Sequence, residues 1–147
     1  MSNNKFILIL GIILNCTTTL PALSQCTINA TGVAFGSYDI FSTTKNASTG
    51  NITYNCASGT PPFTIDLSKG NAASYNSREL KDGSNSLNYN LYIDAAGSQI
   101  WGDGTSSTNQ YSSSNLTGTI TIYGIIPPQQ NAKVGSYTDS ITATINF

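Results

Sequence analysis

The last twelve residues, SYTDSITATINF (136–147), alternate between apolar and polar side chains. Tyr137, Ile141, Ala143, Ile145 and Phe147 fall on one parity, and the positions between them carry mainly threonine, serine and asparagine. Successive side chains of a β-strand point to opposite faces of its sheet, so this pattern predicts a strand with one face toward a core. The strand is expected to reach Phe147, its last apolar position.

The same alternation recurs upstream, whereas helical periodicity is scarce. Glycine, asparagine, serine and aspartate clusters such as AAGS, GDGT and KDGS separate the runs and predict turns. The predicted inward residues are Cys26, Ile28, Ala30, Val33, Phe35, Ile52, Tyr54, Cys56, Phe63, Ile65, Leu67, Leu87, Tyr89, Leu91, Ile93, Ile120 and Ile122. Six or seven strands with this spacing predict an all-β, immunoglobulin-like β-sandwich, with a closed barrel as the alternative.

Three other stretches of the sequence predict local structural features. The parity slips by one at Gly32, which predicts a bulge or kink in the first strand. Asn88, Asn90 and Tyr92 are expected on the outer face of their strand. Residues 106–115 (SSTNQYSSSN) are expected to form a polar loop or a frayed edge.

The N-terminus has the pattern of a secretory signal peptide. Residues 6–14 (FILILGIIL) form an apolar run too short to span a bilayer stably, and in the following Ala22-Leu23-Ser24 the residues Ala22 and Ser24 are small and have the spacing of a cleavage site. Residues 1–24 are therefore predicted to be a signal peptide and residues 25–147 one exported domain, without stable membrane insertion after cleavage. An uncleaved anchor, or a lipoprotein modified at Cys16, is the alternative.

Charge and cysteine usage agree with export. Removal of Lys5 leaves five basic residues against seven acidic ones, a net charge of −2, so no basic stripe favours nucleic acid. Cys26 and Cys56 remain after cleavage, and an even pair in an oxidising compartment predicts a disulfide. Two free buried thiols are the alternative.

The sequence offers little for catalysis. The chain has no histidine, which excludes Ser-His-Asp, Cys-His and histidine-based metal sites. Asp94 with Asp103, or Asp39 with Asp139, could in principle act as paired carboxylates, but acids at these places are typical of solvated turns. The WGDG segment at 101–104 lacks the spacing of a calcium loop. No metal or cofactor is expected.

A polar and aromatic surface is a further candidate. It would hold sugars or another protein, although singly exposed aromatic residues are also ordinary surface features. Its members are Tyr75, Asn88, Asn90, Tyr92 and Tyr111.

Several stretches together resemble the spore coat protein U domain family, which includes pilin subunits of archaic, Csu-type chaperone–usher pili. They are CTINATGVAFGSYDIF, GNITYNC, PFTIDLSKG, SLNYNLYIDAAGSQIWGDG and YGIIPPQQNAKVGSYTDSITATINF. The resemblance runs from Cys26 to Phe147. It implies an incomplete sandwich of six strands with an open groove that another polypeptide fills by donor-strand complementation.

The resemblance also implies partners and a site. The expected partners are a periplasmic pilus chaperone, an outer-membrane usher and neighbouring pilin subunits, with export through the periplasm to the cell surface. The groove for the chaperone or donor strand would be lined by Ile141, Ala143, Ile145 and Phe147.

One departure concerns the donor segment that a polymerising pilin carries before its first cysteine. Cleavage after Ser24 leaves only Gln25 there, which predicts a subunit that accepts a strand without giving one, at a fibre tip or outside a fibre. The alternatives are a secreted spore or cell-surface coat protein that forms no fibre, and a carbohydrate-binding or carbohydrate-active sandwich.

Overall fold

A computed structural model describes residues 4–9, 26–58, 60 and 62–147. The predicted cleavage site at Ser24 lies outside the described residues. Within them, the regular elements are nine β-strands. These are β1 (Asn4–Ile9), β2 (Cys26–Thr31), β3 (Asn46–Cys56), β4 (Phe63–Leu67), β5 (Arg78–Asp82), β6 (Asn85–Tyr92), β7 (Tyr111–Ser113), β8 (Thr117–Ile126) and β9 (Ser140–Asn146).

The strands form two antiparallel sheets packed as a sandwich. The five-stranded sheet has the order β2-β3-β8-β6-β5, and the four-stranded sheet has the order β1-β9-β4-β7. Hydrophobic residues from both sheets form one core between them. The predicted immunoglobulin-like sandwich is confirmed, and the barrel alternative is not.

Alternation along the strands explains which residues form this core. Burial in β3, β4 and β9 alternates residue by residue, as expected for strands with one face on a core and one toward solvent. Ile52, Ile65 and Leu91 are among the residues with no exposed surface. The predicted inward residues of β3, β4, β8 and β9 are buried or half-buried.

The predicted disulfide is confirmed. Cys26 and Cys56 are bonded, and they lie directly opposite each other on β2 and β3. Strand β2 is at the edge of its sheet and pairs with β3. The bond therefore ties an edge strand to its neighbour in the same sheet.

Two strands in residues 26–147 were not predicted, so this part of the chain has eight strands where six or seven were expected. Strand β5 (RELKD) carries a single aliphatic residue, Leu80, and its other fully inward residue is Arg78. Strand β7 lies within residues 106–115, where a frayed edge was one of the two expectations, and it forms the outer edge of its sheet.

At Gly32, where a bulge or kink within the first strand was expected, the chain instead leaves the strand. Strand β2 ends at Thr31, and the following residues pass close to Gly50 of β3 and Gly124 of β8. A Cβ on Gly50 would lie 2.4 Å from the Thr31 carbonyl oxygen, and one on Gly124 would lie 2.7 Å from Val33. The two glycines leave space for this segment, and its residue Val33 is buried in the core.

Candidate functional site

The four residues predicted to border the groove lie on β9 or directly after it. Ile141, Ala143 and Ile145 are 0%, 2% and 1% exposed, and their side chains belong to the core. Phe147 is half-buried, with its ring centroid 6.2 Å from that of Phe63. Strand β9 thus contributes an apolar row to the interior of the sandwich.

One edge of β9 pairs with β4 and the segment that follows it. The Ser68 amide donates to the Thr142 carbonyl oxygen at 2.9 Å, and the Thr142 amide donates to the Ser68 hydroxyl oxygen at 2.9 Å. Because backbone groups of successive strand residues point in opposite directions, those of Ile141, Ala143 and Ile145 face the other edge of β9.

That other edge, here called the accepting edge, pairs with β1. The pairing is antiparallel and covers all six residues of β1, from Asn4 opposite Ile145 to Ile9 opposite Ser140. Strand β1 belongs to the predicted signal peptide. The accepting edge is therefore geometrically suited to an added antiparallel strand of this length.

The chain changes sheets immediately before β9. Thr138 and Lys81 exchange two backbone hydrogen bonds, of 2.8 and 2.9 Å, which attach this point to β5 in the five-stranded sheet. Ser140 begins β9 in the other sheet. Asp139 lies between them and is 2% exposed.

Three donors hold the Asp139 carboxylate. One oxygen accepts from the Tyr89 hydroxyl at 2.6 Å, and the other accepts from the amides of Asn71 at 2.8 Å and Ser140 at 2.7 Å. Gly70 has a φ of 62°, and a Cβ there would collide with this carboxylate. The contacts join both sheets to the first residue of β9.

Arg78 is the other charged residue buried among the described residues. Its guanidinium donates to the carbonyl oxygens of Ser68 at 3.0 and 2.8 Å and Trp101 at 2.6 Å, and to the Asn90 side-chain oxygen at 2.7 Å. It also lies over the Tyr75 ring, 5.4 Å from the centroid. A buried guanidinium needs such acceptors to offset its lost hydration.

Burial dominates the ionisation of this polar cluster. It raises the pKa of the Asp139 carboxyl above its ordinary value, although the three hydrogen bonds and the charge of Arg78 act in the opposite direction. Burial, and then the charge of Asp139, raises the pKa of Tyr89, which remains a neutral donor. Burial lowers the pKa of Arg78, and the charge of Asp139 opposes that effect.

Of the four aspartates considered as paired carboxylates, three lie in turns and the fourth, Asp139, is buried. Asp94 and Asp103 accept hydrogen bonds within their own turns, from Ser98 and Thr105 respectively, and Asp39 accepts from the nearby Phe41 amide. These three match the expected turn-forming acids. For Asp139 the expectation of a solvated turn acid is wrong, because it is buried at the sheet crossing.

The proposed polar and aromatic surface is not continuous. Asn90 was expected on the outer face but is 4% exposed, because its side chain accepts from Arg78 and donates to the Tyr75 carbonyl oxygen. Tyr75 is also buried. Asn88 is exposed, as expected, and Tyr92 and Tyr111 are half-buried.

Sequence reasoning missed Arg78 and the role of Asp139. A signal was available for Arg78, because it shares parity with Leu80 in the RELKD segment. Arginine is rarely buried without specific partners, so the alternation alone argued weakly for a strand there. Nothing local identified Asp139, since its partners come from Tyr89 and Asn71, which are distant in sequence.

Across the described residues there is no cluster of three or more histidine, cysteine or acidic side chains suited to a metal ion. In the same part of the chain, no helix has the length and apolar character needed to cross a membrane.

The sequence signature of the Spore Coat Protein U domain matches residues 13–144. The chain belongs to this family. Among curated proteins, Protein U of Myxococcus xanthus is 33% identical to this Spore Coat Protein U domain over 61 residues. The match covers 42% of this chain and 34% of that protein, so it spans about a third of the curated relative.

A solved structure shares the fold of this Spore Coat Protein U domain. It is the CsuC–CsuE chaperone–tip adhesion subunit pre-assembly complex from the archaic chaperone-usher Csu pili of Acinetobacter baumannii. The superposition has a TM-score of 0.61 with 21% identity, over 85% of this chain and 40% of that one. At this identity the similarity establishes the fold alone.

Proposed function

We propose that the protein is an exported, non-catalytic subunit of a chaperone–usher pilus, whose accepting edge is completed by a strand from another polypeptide. The observation that carries the proposal is the antiparallel pairing of β1 with β9. Segments that add a strand to an exposed sheet edge gain affinity from backbone hydrogen bonds and specificity from alternate side chains. The fold shared with a chaperone-bound tip subunit supports it.

Export would determine when this edge becomes available. Cleavage after Ser24 would remove β1 together with the rest of residues 1–24, leaving the outer edge of β9 without its intrachain strand. The partners are then a periplasmic chaperone, an outer-membrane usher and a neighbouring pilin, and the destination is the cell surface. One residue would precede Cys26, which favours a position at the fibre tip.

The register indicates what a partner strand must carry. Residues directly opposite each other on an antiparallel pair lie on the same face. A partner in the register of β1 therefore places three alternate positions opposite the buried Ile141, Ala143 and Ile145, and these positions should be apolar. Covering about 400 Å² of apolar surface contributes on the order of 10 kcal/mol, comparable to the stability of a small domain.

Co-expression with the periplasmic chaperone of the same pilus gene cluster tests the proposal. The full-length gene is exported with and without the chaperone, and the chaperone is then used for affinity capture. We expect a one-to-one complex and a marked loss of soluble subunit without the chaperone. The Phe147→Asp and Ile145→Asp variants should lose the complex, because each puts a charge on the apolar row.

The matched control is Thr144→Asp, which adds the same charge on the opposite face of β9, where Thr144 is half-buried. This variant should retain the complex. Equal yields of stable, uncomplexed protein in both conditions would overturn the proposal.

The other candidate is a coat protein of a spore or cell surface that forms no fibre, and the comparisons favour it less than the pilus subunit. Deleting the usher separates the two: a pilus subunit would be retained in the periplasm, whereas a coat protein would still reach the surface.

A further inference from the structure

The inward row that runs from Asp139 into β9 is polar at its first residue and apolar afterwards. Asp139 shares the parity of Ile141, Ala143 and Ile145, and all four residues are buried. The hydrophobic pattern excludes a slide by one residue, which would turn every apolar side chain to the wrong face, but a slide by two residues along a uniformly apolar row keeps the inward parity. A carboxylate at the end of the row removes this uniformity.

We propose that Asp139 is the positioning residue of the accepting edge: its carboxylate fixes where the chain enters β9 and thereby the register of the added strand. The inference rests on the proposed function, because it concerns the same edge. Asp139 itself is not required to contact the partner.

Two features of the structure produce this effect. The contacts of Asp139 with Tyr89 and Asn71 fix the position at which the chain passes from one sheet to the other. The accepting edge therefore begins at Ser140. Before that point Thr138 is already bonded to Lys81, and the chain belongs to the other sheet. A strand displaced beyond Ser140 would therefore leave the accepting edge.

The second feature is the cost of a displaced register. A two-residue slide in that direction would bring an apolar side chain opposite a buried carboxylate, which is unfavourable compared with an apolar neighbour. Buried polar groups are known to specify register in this way in helical assemblies, at some cost in stability. Arg78 supplies the opposite charge within the same buried cluster.

The test uses the full chain, produced in a host with an oxidising cytoplasm so that residues 4–9 are retained. Thr144 is replaced by the photoreactive residue benzoylphenylalanine, and mass spectrometry maps the cross-linked positions. In the wild-type background we expect the label on Lys5 and its immediate neighbours, since Lys5 is opposite Thr144. In Asp139→Ala, label two residues away should rise at least threefold.

Two variants separate positioning from a general effect on folding. Asp139→Asn keeps an acceptor for the Asn71 and Ser140 amides and should restore the wild-type distribution. Asp66→Asn removes a carboxylate that bonds Asn146 at the far end of β9, at 2.7 Å, and should leave the distribution unchanged. Near-ultraviolet circular dichroism and disulfide content establish that each variant is folded.

If Asp139→Ala does not fold, Tyr89→Phe decides the question, because it removes only the hydroxyl that donates to Asp139. An intermediate fraction of displaced label is then expected. The inference would be overturned if a folded Asp139→Ala variant showed the wild-type label distribution. If Asp139→Ala is unfolded, the same result in Tyr89→Phe would overturn it. The cross-linking experiment contains no chaperone, so an unchanged label distribution would not count against the proposed function. Conversely, failure of the chaperone to capture the subunit would not change the label distribution.

Discussion

At the scale of single residues, the buried carboxylate of Asp139 positions the start of β9 but loses hydration, which lowers the stability of the fold when the group is ionised. Its three hydrogen bonds hold the start of β9, yet burial raises its pKa, so the ionised form is less favourable in the folded chain than in water. The charged and titratable groups that act on it are Tyr89 and Arg78. The ionised carboxylate is thus retained at a sacrifice of stability.

The raised pKa of Asp139 predicts the direction in which the free energy of unfolding changes with pH. A carboxyl with a raised pKa in the folded state contributes its stability below the unfolded pKa and loses it as pH rises through the folded pKa. Relative to Asp139→Asn, the wild type should therefore gain free energy of unfolding as pH falls from neutral to about 4.5. Urea denaturation of both proteins measures the difference.

The matched control is Asp94→Asn. Desolvation acts to raise the pKa of Asp94, but the hydrogen bonds within its turn together outweigh it and lower the pKa. The wild type should therefore gain no stability against this variant between neutral pH and about 4.5, and it should lose stability as pH falls further. A wild type that loses free energy of unfolding relative to Asp139→Asn over the same interval would contradict the argument.

At the scale of secondary structure elements, parity predicted the strands well where each strand has several apolar residues on one face. Strands β3, β4, β8 and β9 were found with the correct inward residues, because burial of one face enforces a period of two. Strand β5 was missed because Arg78, and not a hydrophobic residue, occupies an inward position. Its acceptors come from other strands and loops, which no local pattern reveals.

The end of β2 was also beyond local prediction. A parity slip at Gly32 is compatible with a bulge or with a departure from the sheet. The choice depends on Gly50 in β3 and Gly124 in β8, two glycines that leave space for the crossing segment. For the accepting edge, the sequence predicted which residues face the core, but not the sheet crossing that defines where the edge begins.

The edge strand β2 provides a prediction at this scale. The disulfide closes a separation of 30 residues, and its removal in Cys26→Ser should lower the free energy of unfolding by about 3 to 4 kcal/mol. Amide hydrogen exchange should show the loss of protection concentrated in β2, which pairs with β3. Cys16→Ser, in the predicted signal peptide, is the control. Uniform loss of protection across both sheets would contradict a local role.

At the scale of the whole molecule, stability and partner binding are linked. Any strand that binds the folded protein and not the unfolded chain raises the free energy of unfolding, by about 2.7 kcal/mol at about 100 times its Kd. A six-residue synthetic peptide with apolar residues at alternate positions should therefore raise the melting temperature of the exported protein. The measurement is a thermal scan at increasing peptide concentration.

The comparison peptide has the same composition with its apolar residues in one contiguous block. It cannot place three apolar side chains opposite Ile141, Ala143 and Ile145, and it should have little effect. Equal stabilisation by both peptides would indicate nonspecific hydrophobic binding and would argue against an accepting edge of defined pattern.

The antiparallel geometry at β9 also has a mechanical consequence. A force that pulls on a strand added to this edge acts along the strand direction, at right angles to the backbone hydrogen bonds on both sides of β9. Those bonds are loaded simultaneously in shear, and they must fail together. Peeling from one end would break them in succession and would need less force. A subunit joined to its fibre in this way would resist a pull along the strand more strongly than a pull that peels the strand from one end.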